Sequence, residues 1–329
     1  MQISVLGGGS WGTAMAKELS SKYDVLIYVR NEEARDSINN DHRNNRYLKD
    51  HNLPENIVAS SNIEEVLKNK YIINAIPTQK IRTMLEENSQ YFNEDNIIIN
   101  LSKGIEEFTN KRISEIFKEF LPNNKFVTLS GPSHAEEVID GVPTSMVAAS
   151  EDLEIAKEVQ ELMMSPTLRI YTNEDLVGVE YGGAVKNVLA LGIGILDGLN
   201  YGDNSKAAVM TRGILEMTRF CVEMGGKRNT LYGLAGLGDL IVTATSKHSR
   251  NRKAGELIGQ GHTVNSLEND IGMVVEGVPT CRALYNISRE RNIYMPITNI
   301  IYKLLYENIN LDESIKQLMT RDGKEEFDF

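Results

Sequence analysis

A lysine within an apolar helix is the residue of this sequence best suited to chemistry. The segment 176–199 is apolar and helix-like, and it carries Lys186. An ammonium group in apolar surroundings has a lowered pKa, so we predict that Lys186 is a general acid and base. The alternative is a lysine that reaches the surface or pairs with Glu180. Glycine is energetically unfavourable in the interior of a helix. The glycines at 182, 183, 192 and 194 therefore indicate close packing or the approach of a ligand.

A second set of polar residues follows in the segment 233–261. There, Gly236-Leu-Gly238-Asp239 indicates a turn that presents a carboxylate. Ser249 is suited to cap a helix beginning near Arg250. The free N–H groups at the start of that helix, together with the arginine side chain, favour the binding of a phosphate. Five basic residues lie close together here: Lys247, His248, Arg250, Arg252 and Lys253. A solvated basic face is the alternative, and the net charge of −11 disfavours a nucleic-acid patch.

Near the N-terminus, the stretch VLGGGSWGTAMA at residues 5–16 runs from an apolar segment into a helix-like one. Gly7, Gly9 and Gly12 fit G-x-G-x-x-G, the turn that brings backbone close to the pyrophosphate of a dinucleotide. A glycine-rich surface turn is the alternative. Arg30 follows the next apolar run, and an arginine there favours NADP(H) over NAD(H) because it can bind the 2′-phosphate.

Short apolar runs alternate with helix-like segments up to residue 175. Runs that are apolar throughout predict strands covered on both faces, as in a doubly wound parallel sheet. The strand candidates are 3–6, 25–29, 71–76, 97–101 and 126–129. Later segments have helical spacing, as at 206–224, 280–291 and 297–307. We therefore predict an α/β, Rossmann-like dinucleotide-binding domain over 1–175 and an all-helical substrate-binding and catalytic domain over 176–329.

Polar turns follow the predicted strands and carry a second lysine. The turns at 77–79, 102–104 and 130–134 include Lys103 and the sequence Ser-Gly-Pro-Ser-His. Because the carboxyl ends of parallel strands meet at one edge of a sheet, these turns should converge there.

The composition excludes several classes of protein. The chain has 329 residues, of which 41% are hydrophobic and 25% charged, and this balance is typical of globular domains. Its two cysteines are too few for a disulfide framework and lie in no metal-binding motif, so we predict no metal. We predict a cytoplasmic protein, since the N-terminus does not have the pattern of a signal peptide. Charged residues within 176–199 make a membrane span improbable.

Nine ordered segments resemble the NAD(P)-dependent sn-glycerol-3-phosphate dehydrogenases. They are GGGSWGTAMA, NAIPTQ, LSKGIE, LSGPSHAEEV, VEYGGAVKNVLALGIGILDGL, TRGILEM, GLAGLGDL, SRNRKAG and VVEGVPT. The resemblance implies hydride transfer between NAD(P)H and C2 of dihydroxyacetone phosphate. The product is sn-glycerol 3-phosphate, a precursor of phospholipids. It also implies a homodimer.

The resemblance implies a role for individual residues. Lys186 corresponds to the proton donor and acceptor. From the chemistry of carbonyl reduction we also predict catalytic roles for Asp239, which can orient Lys186 or a substrate hydroxyl, and for Lys103, which can add positive charge near the ketone oxygen. Substrate contacts are Lys103, Gly131, Ser133, Lys186, Asp239, Ser249, Arg250 and Asn251. Cofactor contacts are Ser10, Trp11, Arg30, Lys103, Ala135, Arg250, Val274 and Glu276, in addition to the three glycines of the turn. A β-hydroxyacid dehydrogenase is the alternative enzyme, with a carboxylate in place of the phosphate, and a dinucleotide-binding module without chemistry is the alternative outside enzymes.

Overall fold

The computed structural model describes residues 1–307 and, beyond them, residues 309, 310, 313, 314, 320, 323, 325 and 326. The final Phe-Asp-Phe of the chain, for which the sequence suggested no role, lies outside these described residues.

The N-terminal half contains one twisted sheet. Its strands are β1 (Gln2–Leu6), β2 (Asp24–Tyr28), β3 (Ile57–Ser60), β4 (Tyr71–Asn74), β5 (Ile97–Asn100), β6 (Lys125–Ser130), β7 (Thr144–Ala149) and β8 (Leu168–Asn173). They lie in the order β3-β2-β1-β4-β5-β6-β7-β8. The chain continues from β1 to β2 on one side and later places β4 on the other. The carboxyl end of β1 is therefore the switch point at which such folds bind ligands.

Helices cover both faces of the sheet and form most of the described region beyond it. Within the described residues they are α1 (Ser10–Ser20), α2 (Glu32–Asp41), α3 (Ile63–Val66), α4 (Thr78–Asn88), α5 (Ile113–Phe120), α6 (Ala135–Ile139), α7 (Leu153–Met163), α8 (Leu176–Gly198), α9 (Asp203–Glu223), α10 (Asp239–Thr245), α11 (Arg250–Gly259), α12 (Leu267–Ile271), α13 (Gly277–Glu290) and α14 (Pro296–Tyr306). Short 3₁₀ turns lie at Ser89–Tyr91, Arg228–Tyr232 and Val264–Ser266, and a π-helical turn lies at Leu234–Gly238.

Side chains of the central strands alternate between two apolar layers. In β4, Ile73 packs into the layer that contains Ile3 and Val5, whereas Ile72 packs into the opposite layer with Leu6. This alternation explains why the central strands are apolar throughout. The predicted fold class, a Rossmann-like sheet followed by an all-helical region, is confirmed.

The strand prediction missed three strands, and the prediction of a wholly parallel sheet was wrong. It missed β3 and β8, which are the two edge strands: β3 has only 4 residues, and the exposed Arg169 interrupts the apolar run of β8. It also missed β7, whose small residues do not form a strongly apolar run. The sheet is not wholly parallel, because β7 runs antiparallel to β6 and then pairs in parallel with β8.

The apolar helix α8 is the core of the helical region. It packs against α9, α10, α11 and α13 and is buried on all sides. By length and composition it could cross a membrane, but 94% of its apolar window is buried inside the protein. Its apolar character therefore serves the packing of neighbouring helices.

Candidate active site

The turn after β1 has the geometry that a dinucleotide phosphate requires. Gly7 has a φ of 110°, which residues with side chains rarely adopt. A Cβ at Gly12 would lie 2.0 Å from the carbonyl oxygen of Gly7. Gly9 has no side chain to cap α1, and a Cβ there would meet no atom within 4 Å. The first N–H groups of α1 are thus available to an anion, and the turn fits the pyrophosphate of NAD(P).

Buried polar side chains join the ends of β4, β5 and β6. Asn74 Nδ2 donates to Asn100 Oδ1 at 2.9 Å, and Asn100 Nδ2 donates to Thr128 Oγ1 at 3.3 Å. Ser102 Oγ donates to the carbonyl oxygen of Ile76 at 2.6 Å. The turns after these strands therefore converge at one edge of the sheet, as the sequence predicted.

Lys186 lies in the middle of α8 and is 6% exposed. Its Nζ is 2.8 Å from Asp239 Oδ1 and donates to Thr243 Oγ1 at 2.7 Å. Thr243 Oγ1 donates in turn to Asp239 Oδ1 at 3.1 Å. Glu180, the alternative partner, accepts instead from Arg112 Nη1 at 2.7 Å. Lys186 is therefore a buried lysine held by a carboxylate from another helix.

Lys103 approaches the same carboxylate from the sheet. Its Nζ is 2.6 Å from Asp239 Oδ2 and donates to the carbonyl oxygen of Gly131 at 2.9 Å. It also lies 3.5 Å from Ser133 Oγ, which donates to Gly131 O at 2.8 Å. The structure thus brings Lys103, Asp239 and Lys186 together, and we call these three residues the lysine–aspartate cluster.

The cluster shifts the proton affinities of its own members. Burial lowers the pKa of Lys186 to about 8; the charge of Lys103 acts in the same direction, and Asp239 opposes it. Burial acts to raise the pKa of Asp239, but the charges of Lys103 and Lys186 outweigh it, and the pKa lies below its ordinary value. Asp239 is therefore a carboxylate at neutral pH, and Lys186 can give up or take up a proton near pH 8.

His134 is a further titratable group beside the cluster. Burial and, next, the charge of Lys186 lower the pKa of His134, so its ring is uncharged at neutral pH. Its Nε2 lies 3.4 Å from the carbonyl oxygen of Val242, and its ring lies 6.0 Å from that of His248. Among the described residues, no group of three or more His, Cys, Asp or Glu side chains is arranged to hold a metal ion.

The predicted cap begins α11. Ser249 Oγ accepts from a backbone N–H of the first turn at 3.2 Å, which confirms the predicted helix start. Arg250, the first residue of α11, is exposed. The Asn251 side chain is engaged within the protein: Nδ2 donates to Asn187 Oδ1, and Oδ1 accepts from the N–H of Gly277, both at 2.8 Å. An exposed guanidinium and a capped helix start thus lie together.

Glycines allow α11 to cross α8 at very close range. A Cβ at Gly194 would lie 1.9 Å from a carbonyl oxygen of α11, and a Cβ at Gly255 would lie 2.0 Å from a carbonyl oxygen of α8. The same contact recurs one turn along at Gly198 and Gly259. The prediction that glycines of α8 serve close packing is confirmed at Gly194. This crossing fixes the start of α11 relative to Lys186.

A segment of the helical region extends to the glycine turn. Met273 Sδ lies 3.9 Å from Ser10 Oγ, and the adjacent Val274 is exposed. Glu276 Oε1 accepts from the N–H of Thr78 at the start of α4 at 2.8 Å. Burial raises the pKa of Glu276, and its Oε2 has no hydrogen-bond partner within the described part of the chain. Glu276 thus joins this segment to the start of α4 and keeps one buried oxygen without a partner among the described residues.

The remaining predicted cofactor residues, Ala135 and Arg30, lie at two further places along the sheet edge. Ala135 begins α6 and packs in one apolar cluster with Trp11. Arg30 is exposed just beyond β2, on the opposite side of β1 from the strands that precede Lys103 and Gly131. The predicted cofactor residues therefore extend along the sheet edge, as an elongated ligand requires.

Two family models match the chain in succession. The model of the NAD-dependent glycerol-3-phosphate dehydrogenase N-terminus matches residues 2–156, and the model of the C-terminus matches residues 175–316. The chain belongs to the NAD-dependent glycerol-3-phosphate dehydrogenase family.

Relatives of full length support this family. The chain is 49% identical over 327 residues to glycerol-3-phosphate dehydrogenase (NAD(P)+) of Clostridium perfringens (strain SM101 / Type A), with 99% of each chain covered. It is 51% identical, with the same coverage, to the protein of that name from Clostridium botulinum (strain Alaska E43 / Type E3). The crystal structure of glycerol-3-phosphate dehydrogenase from Coxiella burnetii superposes with a TM-score of 0.93 at 33% identity, covering 97% of this chain and 99% of that one.

More distant structures share only the fold of this family. A ketopantoate reductase from Ralstonia eutropha has a TM-score of 0.62 at 11% identity, with 97% of this chain and 100% of that one covered. D-Mandelate dehydrogenase has a TM-score of 0.60 at 15% identity with the same coverage. The alternative of a hydroxyacid dehydrogenase therefore has no support beyond architecture.

Two residues of the site were not predicted from the sequence. Thr243 completes the contacts of Lys186, and its spacing of four from Asp239 on α10 was the available signal. Asn187 Nδ2 donates to the carbonyl oxygen of Lys103 at 3.0 Å, and its polarity within an apolar helix was the signal. Both were missed because a short polar side chain indicates a functional role only when its hydrogen-bond partner is known.

Proposed function

We propose that this protein interconverts dihydroxyacetone phosphate and sn-glycerol 3-phosphate with NAD(H) or NADP(H). Family membership supports the substrate and the cofactor class. The observation that carries the chemistry is the buried Lys186 Nζ, 2.8 Å from Asp239 Oδ1, at the sheet edge that also bears the glycine turn.

Lys186 is the general acid and base of the proposal. NAD(P), held at the glycine turn after β1, would supply or accept the hydride. Reduction of the ketone develops negative charge on its oxygen, and the ammonium of Lys186 stabilises this charge and donates the proton. In the reverse direction the neutral amine takes the proton from the hydroxyl. A pKa of about 8 allows both roles near neutral pH.

Asp239 and Lys103 support Lys186 in different ways. Asp239 holds the Nζ of Lys186 through one oxygen and the Nζ of Lys103 through the other. Lys103 adds positive charge near the developing oxyanion. We assign Gly131 and Ser133, which contact Lys103, to the same part of the substrate.

We place the phosphate of the substrate at the start of α11. The guanidinium of Arg250 can bind a phosphate through two hydrogen bonds, and the N–H groups that follow Ser249 favour an anion. Asn251 contributes its backbone N–H, because its side chain is already engaged. Holding the phosphate fixes the carbonyl beside Lys186, which converts binding energy into rate.

The cofactor site extends from the glycine turn to the lysine–aspartate cluster. The residues that we assign to it are Gly7, Gly9, Ser10, Trp11, Gly12, Arg30, Lys103, Ala135, Arg250, Val274 and Glu276. Arg30 favours NADP(H), because its exposed guanidinium follows β2, where the 2′-phosphate binds in folds of this class. Titration of Trp11, the sole tryptophan, with NADH and NADPH ranks the two cofactors, and tighter binding of NADH would contradict this preference.

The proposed chemistry is tested by replacing Lys186. Lys186→Ala should lower kcat by about 10²- to 10⁴-fold, since that is the usual contribution of a general acid and base. Quenching of Trp11 fluorescence by NADH should stay unchanged. The control is Lys157→Ala, whose lysine pairs with Glu154 on the surface. Near-normal turnover of Lys186→Ala would reject the role of Lys186.

The proposed phosphate site is tested by replacing Arg250. Arg250→Ala should raise the KM for dihydroxyacetone phosphate more than it lowers kcat, because the substrate loses a phosphate contact. An unchanged KM would show that the phosphate binds elsewhere.

We further propose a cytoplasmic homodimer that acts on a small phosphorylated substrate. The resemblance of the sequence supports the homodimer, and two buried cysteines with free thiols, Cys221 and Cys281, suit a reducing compartment. Light scattering of the purified protein should give twice the mass of one chain.

A further inference from the structure

The connection between α2 and β3, residues 42–56, is long for a link inside a compact domain. Arg43 and Asn52 form a β-bridge across it, and Arg43 Nε donates to Asn52 Oδ1 at 2.7 Å. Leu48 adopts a φ of 56°, which is costly for a leucine, so the surrounding contacts must hold this conformation in place. We call this segment the 42–56 loop.

Asn44 joins the 42–56 loop to the glycine turn. Its side chain is 1% exposed. Asn44 Nδ2 donates to the carbonyl oxygen of Gly8 at 2.9 Å and to Thr13 Oγ1 at 2.8 Å. Asn44 Oδ1 accepts from the N–H of Tyr47 at 3.1 Å. One amide group thus connects the turn, α1 and the loop.

These bonds act on the part of the turn that faces the cofactor. The side-chain amide of Asn44 uses both of its N–H groups as donors and so holds the Gly8 carbonyl toward the protein interior. The N–H groups at the start of α1 are then left for the pyrophosphate. Gly8 cannot be fixed by a side chain of its own, because a Cβ there would lie 2.5 Å from Val29 Cγ1. The turn therefore depends on a residue from elsewhere in the chain for its orientation.

The far side of the 42–56 loop contacts a second part of the cofactor site. Leu48 packs on the apolar cluster formed by Ala14 and residues of α6, to which Trp11 and Ala135 also belong. His51 Nε2 lies 2.8 Å from Asp140 Oδ1 at the end of α6. The loop thus contacts the elements that begin with the glycine turn and with Ala135.

We propose that Asn44 is a positioning residue of the dinucleotide site, which it serves by fixing Gly8 and Thr13. The proposal rests on the proposed binding of NAD(P) at the glycine turn. It predicts that Asn44 governs cofactor affinity without acting on the chemical step, since Asn44 touches neither the lysine–aspartate cluster nor the start of α11 in its described contacts.

The test replaces both ends of the Asn44 bond. Asn44→Asp removes the two N–H donors and places a carboxylate against the Gly8 carbonyl. Thr13→Val removes one acceptor without changing shape. Because a single buried hydrogen bond contributes about three- to tenfold in an equilibrium constant, Thr13→Val should raise the Kd of NADH and NADPH by about that factor, and Asn44→Asp by more. Trp11 quenching measures the Kd.

A purely structural role is distinguished by a matched control and by kinetics. Asn39 Nδ2 donates to the Ala59 carbonyl at 2.9 Å, and its Oδ1 accepts from the Ala59 N–H at 2.7 Å. Asn39→Ala should therefore lower the melting temperature without changing the Kd. In the Asn44 and Thr13 variants at saturating cofactor, kcat and the KM for dihydroxyacetone phosphate should stay within about twofold of wild type.

The outcomes separate this proposal from the proposed function. If NADH does not quench Trp11 in the wild type, the dinucleotide site itself is wrong. If the wild type binds NADH and both variants bind it equally well, Asn44 has no positioning role. Thr13→Val in an Asn44→Ala background should add no further loss of affinity, and full additivity of the two losses would also overturn the proposal.

Discussion

At the scale of the residue, Lys186 depends on two neighbours with opposite effects. The charge of Lys103 lowers the pKa of Lys186, and Asp239 raises it, while burial sets the overall direction. The sequence predicted the lowered pKa from apolar surroundings alone, because those surroundings lie on the same helix. It could not predict the balance between the two partners, which come from other elements.

This balance predicts opposite shifts of the pH profile. Oxidation of glycerol 3-phosphate needs the neutral amine of Lys186, so its kcat should rise through about pH 8, while reduction should decline over the same range. Asp239→Asn removes a contact that raises the pKa and should move the oxidation limb to lower pH. Lys103→Met should move it to higher pH. Initial rates against pH measure both shifts, with the exposed Lys125→Met as control. Shifts in the same direction would contradict the assignment of the two neighbours.

The contact of Thr243 with Lys186 predicts a loss of rate. Thr243→Val removes the acceptor for Lys186 Nζ at nearly constant volume, so kcat should fall by about three- to tenfold while cofactor affinity is kept. Thr245→Val is the matched control on the same helix, because Thr245 is exposed and bonds only the backbone of Ile241 in its described contacts. Equal rates for the two variants would remove Thr243 from the site.

At the scale of the element, the crossing of α8 and α11 sets the distance between Lys186 and the proposed phosphate site. Glycines on both helices let their backbones touch, and α11 carries Arg250 while α8 carries Lys186. The glycines of α8 were visible in the sequence, but their partner helix was not, since periodicity reveals a face and not what covers it.

Filling this crossing should weaken both stability and substrate binding. Gly255→Ala places a Cβ 2.0 Å from a backbone oxygen of α8, and such overpacking costs about 1–3 kcal/mol of unfolding free energy. The helices must separate, so the KM for dihydroxyacetone phosphate should also rise. Gly202→Ala is the control, because a Cβ there would meet no atom within 4 Å. Chemical denaturation and initial rates measure the two effects, and loss of stability with an unchanged KM would separate the crossing from the phosphate site.

At the scale of the whole molecule, a buried ion pair connects the sheet region to the helical core. Glu180 on α8 accepts from Arg112 Nη1 at 2.7 Å and from the N–H of Ser114 at 2.9 Å, at the start of α5. Burial raises the pKa of Glu180, while Arg112 and Ser114 act to lower it. We propose that the two domains meet between Asn173 and Leu176, where β8 ends and α8 begins, and that this pair holds them together.

Removal of one partner should destabilise the whole chain. Glu180→Ala removes the buried carboxylate of Arg112 and leaves it the more exposed Glu115, 3.2 Å away, so the cost should lie at or below the range of about 3–5 kcal/mol typical of breaking a buried pair. Thermal unfolding should show a marked fall in melting temperature. Glu154→Ala breaks an exposed pair with Lys157 and should change the melting temperature little. Similar melting temperatures for the two variants would mean that the buried pair does not support the domain contact.

The sequence by itself determined the features that depend on near neighbours in the chain. These are the glycine turn, the central strands, the cap at Ser249 and the apolar surroundings of Lys186, because turn geometry, periodicity and capping act over a few residues. Only the tertiary structure decided that Lys186 pairs with Asp239 and not with Glu180, that β7 runs antiparallel to β6, and that Asn44 contacts the glycine turn. Such contacts follow from how helices pack on the sheet, and packing brings together residues whose separation along the chain carries no signal of their proximity.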